Sequence, residues 1–430
     1  MLEQVFKLSD NKTNVRTEVV AGITTFLTMA YIIFVNPDIL KAAGMPFGAV
    51  FTATCVAAAI GCFLMAFLAN YPIALAPGMG LNAYFAFSVV GGMKLPWQVA
   101  LGCVFISGVL FFIISVLPIR EWIVNAIPKS LKMAIAAGIG LFLALIALKN
   151  AGVVVDDPAT LVTHGKLTSF PVVMAALGFF LIIALEYRRV MGGVIIGILV
   201  VTIIAIAAGQ QKFAGIVDVP PSIAPVFLQM DLAGALQIGL VTVVFAFLFV
   251  DLFDNTGTLI ALAHRGGFMR PDGTVPRLHG ALMADSGAAM IGAAVGTSTT
   301  TSYIESASGI NAGGRTGLTA AVVGILFLLA LFVAPLAGSI PSYATAPALL
   351  YVACLMARSL TEVEWDDVTE AAPAVITAIT MPFTFSIAEG IAFGFISYTA
   401  IKLATGRYRD IHPAVGILAV LFVIKYVVIG

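Results

Sequence analysis

Two stretches of the chain place carboxylates where charge is expensive. Asp251-Leu-Phe-Asp254-Asn255-Thr256-Gly257-Thr258 interrupts a hydrophobic segment, and Thr297-Ser-Thr-Thr-Thr-Ser-Tyr303-Ile-Glu305-Ser ends a polar, β-branched run with an acid. At helical spacing, positions 251, 254, 255 and 258 share one face. An ionisable group inside a bilayer costs about 2.5–3.5 kcal/mol or more, so such groups usually serve a function. Asp254 and Glu305 are expected to face a small polar cavity. One would accept hydrogen bonds from the N–H groups of a neutral ligand, and the other would carry an exchangeable proton. Asp251 is a further proton-coupling candidate. Asn82 can donate to and accept from a heterocycle edge, Tyr303 can stack on a flat ligand, and Thr28 can line the site with a hydroxyl. Each has a plainer alternative. Acids favour helix N-termini, Asn82 could cap a half-helix, Tyr303 could be core, and threonines in membrane helices mostly bond back to their own backbone. Asp285 and Glu389 read as solvated rim residues.

The elements that carry these residues follow from composition. The chain has 430 residues, 60% hydrophobic and 10% charged, with a mean hydropathy of +1.07. Soluble domains carry about 25% charged residues. Neither a soluble globule nor a disordered chain fits this balance. The 22 basic residues cancel the 22 acidic ones, so no basic field exists to hold nucleic acid. Cys55, Cys62, Cys103 and Cys354 lie in apolar runs without ligand spacing, and His164, His264, His279 and His412 map to loops or span edges. No metal site, cofactor site or Ser-His pair is expected, so the chain does not read as an enzyme. Residues 1–18 are polar and no cleavage site follows the first apolar run, which argues against a removable signal.

A membrane-spanning helix needs about 20 apolar residues. Candidate spans 1 to 14 are 19–36, 49–69, 71–91, 97–117, 131–149, 170–187, 191–209, 233–259, 279–296, 297–311, 316–335, 343–358, 371–387 and 388–404, with an apolar tail at 413–429. With the N-terminus inside, alternation puts 16 Lys/Arg, Arg120 among them, on the inner side and 5 on the outer side, the bias that cytoplasmic loops show. Span 3 contains Pro72, Pro77, Gly78 and Gly80; span 10 is the Thr/Ser run. Irregular backbone at this depth is tolerated only where protein or a cavity satisfies it. An offset of 226 superimposes Gly61 on Gly287 and Pro72 on Ser298. Interrupted helices at matching places in two inverted halves point to a transporter's midplane site. Gly292–Gly296 and Gly390–Gly394 read as close helix contacts.

On Ala21-Gly-Ile-Thr-Thr-Phe-Leu-Thr-Met-Ala-Tyr-Ile-Ile-Phe-Val-Asn-Pro37, Ala76-Pro-Gly-Met-Gly-Leu-Asn-Ala-Tyr84, 251–259, 296–309 and Gly313-Gly-Arg-Thr-Gly317, the chain resembles the nucleobase–ascorbate transporter superfamily, in its azaguanine-resistance-like branch of purine permeases. The resemblance covers essentially the whole chain. It implies an all-α polytopic membrane protein of fourteen spans, a 7+7 inverted repeat with short strands in spans 3 and 10, as in uracil permeases. Residues 1–118 and 233–336 would form a substrate-carrying core domain. Residues 119–232 and 337–430 would form a gate domain that also dimerises. Asp254, three residues before Gly257, stands at the span-8 acid of uracil permeases, Tyr303 and Glu305 match their span-10 pair, and Asn82 matches the purine branch's span-3 asparagine. Thr258 replaces the uracil-type histidine. The implied activity is proton-coupled import of a purine nucleobase by elevator-type alternating access, across a bacterial inner membrane with the N-terminus cytoplasmic. Hypoxanthine and guanine come first and adenine is the alternative. An anion transporter of the same fold is less favoured, because the deep ionisable groups are acids.

Overall fold

A polypeptide in hydrocarbon must satisfy its own backbone, so apolar runs of sufficient length become helices. The computed structural model describes residues 2–116, 127–237, 241–270 and 275–428. Arg120 and the expected domain boundary at 118/119 lie outside the described residues. Ten helices among the described residues are long and apolar enough to cross a membrane: Val15–Lys41, Phe47–Ala69, Trp97–Val116, Lys129–Asn150, Phe170–Tyr187, Val241–Arg265, Leu278–Val295, Gly317–Gly338, Ser342–Glu362 and Ile387–Ala404. The chain is a multi-pass membrane protein.

Four of the fourteen candidate stretches form something shorter. Residues 71–91 hold the strand Leu75–Pro77, the short helix Met79–Ala83 and a wider π-helical segment, Tyr84–Gly92. Residues 297–311 hold the strand Thr300–Ser302 and the six-residue helix Ser306–Asn311. The helices Gly193–Ala207 and Val368–Thr384 have 15 and 17 residues. The tail forms the helix Pro413–Val428.

The two strands pair antiparallel, with Leu75 opposite Ser302, Ala76 opposite Thr301 and Pro77 opposite Thr300. Local chemistry explains them. Pro72 and Pro77 cannot continue a helix, and the β-branched run of threonines favours extended backbone. The helices preceding both strands end on left-handed residues, Asn70 at φ 50° and Gly296 at φ 93°; these lie 226 positions apart, the offset of the sequence halves. At Gly296 a Cβ would also fall 2.4 Å from Val226 Cβ, so glycine is required there twice over. A second hairpin, Val154–Asp157 with Leu161–His164, lies between two helices and was not expected. Its turn is set by the Asp157 carboxylate, which accepts from the backbone N–H groups of Ala159 and Thr160 at 2.8 Å each, an Asx turn.

The helices pack most extensively within two groups. Leu278–Val295 packs against Phe47–Leu64 and Trp97–Val116, Gly317–Ala330 packs against Phe47–Leu64, and Val241–Gly266 joins them along Trp97–Val116. Lys129–Asn150, Ser342–Ala357, Val368–Thr384 and Ile387–Ala404 form the second group. Small residues allow the close approach. A Cβ at Gly390 would meet Met381 Cγ at 2.2 Å, and one at Gly394 would meet Thr377 Oγ1 at 2.2 Å. The Gly313–Gly317 run turns its backbone onto the fully buried Glu18. That carboxylate accepts from the N–H groups of Arg315 (2.9 Å), Thr316 (3.2 Å) and Thr319 (3.3 Å), and from the Thr319 hydroxyl (2.7 Å), so it caps the helix that follows.

Candidate functional site

The strand pair and the half-helices after it border a cavity of about 110 Å³ between the two packing groups. One wall is polar. It consists of Gly78–Leu81 at the first break, Asp254 and Thr258 from Val241–Gly266, and Thr301–Glu305 after the second strand. The opposite wall, Ile139, Leu143, Val352 and Met356, is apolar. The ionisable groups lining the cavity are Asp254, Tyr303 and Glu305, all on the polar wall, and no basic side chain lines it among the described residues. The short helix Met79–Ala83 starts at the cavity edge, so its first N–H groups and dipole offer partial positive charge. A flat, neutral ligand would find hydrogen-bonding groups along one edge and apolar surface against its face.

Asp254 is exposed to this space and Glu305 is half-buried beside it. Glu305 Oε1 accepts from the Tyr31 hydroxyl at 2.6 Å. Tyr31 is 1% exposed and sits where the first span breaks between Val15–Met29 and Ile32–Lys41. It was not among the expected site residues, although the stripe Thr24, Thr28, Tyr31 at i, i+4, i+7 runs along that span. Tyr303 donates its hydroxyl to the Pro77 carbonyl at 2.6 Å, and its backbone N–H donates to Ala74 at 2.9 Å. Its ring is therefore clamped across both strands at the cavity margin.

Three expected residues lie elsewhere. Asn82 is fully buried and donates to Asn36 Oδ1 at 2.5 Å. Asn36 in turn donates to the Thr54 and Thr297 hydroxyls at 2.7 and 2.9 Å. Asn82 thus belongs to a polar knot joining spans 1, 2, 3 and 10, and does not line the cavity. Thr28 bonds back to the Thr25 carbonyl at 2.8 Å, as threonine does in apolar helices. It lines a separate cavity of about 520 Å³ with Glu186, Arg189 and Arg265. Asp251 is buried away from both cavities; the single face expected for 251, 254, 255 and 258 is divided, with 254 and 258 on the cavity and 251 and 255 inside the helix packing. Of the two rim acids, Asp285 is fully buried and accepts from Ser302 Oγ at 3.1 Å. Glu389 holds Lys425 Nζ at 2.6 Å and the Tyr426 hydroxyl.

A family model described as a permease family matches residues 16–424. The chain belongs to the nucleobase–ascorbate transporter family. Members of this permease family are transporters rather than enzymes. The chain is 51% identical over 429 residues to the adenine permease AdeP of Escherichia coli (strain K12), covering 100% of this chain and 96% of that protein. It is 44% identical over 429 residues to the guanine/hypoxanthine permease PbuO of Bacillus subtilis (strain 168), covering 98% and 99%. Among solved structures, the transmembrane domain of the cyanobacterium bicarbonate transporter BicA superimposes with a TM-score of 0.67 at 15% identity, covering 88% of this chain and 97% of that one. That likeness is one of fold alone, since so low an identity leaves the site residues free to differ.

Proposed function

We propose that this permease imports purine nucleobases together with protons. The observation that carries the reading is that Asp254 and Glu305, from different spans, border one cavity whose opposite wall is apolar. A purine presents N–H donors along its edge and an apolar face, which matches those two walls. One carboxylate accepts from the ring N–H groups while a proton on the other balances its charge, so ligand and proton favour the same loaded state. Thr258 and Tyr303 complete the polar margin. Hypoxanthine and guanine are the substrates the family resemblance suggests first. The higher identity to the adenine permease than to the guanine/hypoxanthine permease, 51% against 44%, supports adenine as a second reading.

The same proposal extends to architecture. Fourteen crossings form a 7+7 inverted repeat, with the strand-bearing group as a moving core and the other group as a fixed, dimerising gate. The core slides as an elevator to open the cavity to alternate sides, and proton and purine bias that equilibrium through their different affinities for its states. The N-terminus faces the cytoplasm of a bacterial inner membrane. An anion reading finds no support in a cavity whose charged side chains are acids.

The test is uptake of labelled adenine, guanine and hypoxanthine in permease-deficient cells, with unlabelled xanthine and uracil as competitors, for the wild type, Asp254→Asn and Glu305→Gln. The expected result is purine-selective uptake that both substitutions reduce strongly. Unchanged uptake in both variants would remove these carboxylates from the mechanism.

A further inference from the structure

The larger cavity holds a carboxylate that the transport reading does not use. Glu186, half-buried near the end of Phe170–Tyr187, lines it together with Thr24, Thr28, Arg189, Arg265 and Ser308. Two stretches of chain connect this space to the first cavity. One is the turn after the second strand. Glu305 lines the first cavity, Ser308 lines the larger one, and the Ser308 N–H donates to the Glu305 carbonyl at 2.9 Å. The other is the helix Ser342–Ala357. Its Val352 lines the first cavity, and the adjacent Tyr351 donates its hydroxyl to Glu186 Oε2 at 3.2 Å. The Thr28 hydroxyl, on the larger cavity, also lies 3.5 Å from the Glu305 carbonyl oxygen.

Glu186 and Glu305 thus occupy adjoining spaces, near enough to interact electrostatically. The charged and titratable groups around Glu186 are Tyr351, Arg189, Arg265 and, toward the first cavity, Glu305. Among the described residues Glu186 forms no salt bridge, so its charge can change without breaking an ion pair. Arg189 and Arg265 belong to the basic set that alternation puts on the inner side, which makes the larger cavity the inner one. We propose that Glu186 takes over the proton that the Asp254/Glu305 pair gives up when purine leaves, and passes it to water on the inner side. This rests on the proton-coupled reading and adds the proton's exit to it. In the transfer an O–H bond on Glu305 breaks and one forms on a Glu186 oxygen. That bond breaks in turn to protonate water, and no further reactant is needed. Carboxylates in series are a common proton route through membrane carriers. The Tyr351 hydroxyl can donate or accept, so it holds Glu186 in place in either protonation state.

The test uses the purified full-length chain in proteoliposomes, with labelled adenine and hypoxanthine. Net uptake driven by an imposed pH gradient is compared with exchange against preloaded unlabelled purine without a gradient. Exchange returns the carrier loaded and does not require the proton to leave, whereas net uptake does. Glu186→Gln is nearly isosteric, still accepts from Tyr351 and cannot take a proton. It should lower gradient-driven uptake at least about tenfold and leave exchange within about twofold of wild type. Glu186→Asp, which keeps a titratable group, should restore part of the uptake. Gradient-driven uptake that Glu186→Gln leaves unchanged overturns the assignment. A parallel fall of uptake and exchange in Glu186→Gln that Glu186→Asp does not relieve also overturns it, since Glu186 would then only brace Phe170–Tyr187 against Tyr351. Wild-type uptake indifferent to the gradient overturns the proton-coupled reading itself, and this assignment with it.

Discussion

Replacing Tyr31 by Phe tests the cavity's wiring with the least disturbance. The ring keeps its shape in a buried position, and one hydroxyl is lost. With Glu305 as the ionised member of the carboxylate pair, that hydroxyl's 2.6 Å donation to Oε1 is a short contact to a charged group. Hydrogen bonds to charged groups contribute roughly 1.5–3 kcal/mol. Glu305 is half-buried rather than sealed, so solvent can replace part of the lost bond and the lower end applies. About 1.5 kcal/mol corresponds to roughly a tenfold change in affinity. The carboxylate would also lose its fixed rotamer, which weakens ligand orientation further. Equilibrium binding of labelled adenine to purified protein, paired with initial uptake rates, should show Kd and KM rising together by about tenfold while the protein remains folded. Values within twofold of wild type would refute the reasoning, because Tyr31 would then be packing against Glu305 without orienting it.

Three further outcomes separate scaffold from site. Asn36→Ala should destabilise the protein by roughly 2–3 kcal/mol, because Asn82 is left buried with an unsatisfied amide; Asn82→Ala should lower thermal stability less and leave purine Kd unchanged. Lys402 is 0% exposed, with its Nζ 2.7 Å from Glu370 Oε1 and 2.8 Å from Thr369 Oγ1. Lys402→Ala should therefore cost about 3–5 kcal/mol by stranding Glu370, and Lys402→Met with Glu370→Met should recover most of the loss in denaturation experiments. Outside the membrane, hydrogen bonds from Thr369 and then Arg407 hold the Asp367 carboxyl below its ordinary value of 3.8. The stability this contributes is fully present above pH 3.8 and is lost as pH falls below it through the lowered folded value. Asp367→Asn should accordingly flatten the acid limb of a thermal-stability profile and leave its shape near neutrality alone.

The sequence by itself determined the solvent and the places where helices must break. Hydropathy, the Pro77-Gly78 pair and the threonine run are local properties, and a polypeptide in hydrocarbon has few ways to satisfy its backbone. It also marked Asp254 and Glu305, since isolated carboxylates in apolar surroundings stand out at short range. Partner identity was decided only in three dimensions. Tyr31 meets Glu305 across 274 positions, and Glu18 caps a helix some 300 residues away. Asn82 turns toward Asn36 rather than toward the cavity. A helical stripe narrows the direction of a side chain, but which neighbour it meets depends on how the packed helices are rotated. That rotation is set by glycine contacts and strand register spread over the whole chain, which is why 251 and 255 were separated from 254 and 258 only by the tertiary structure.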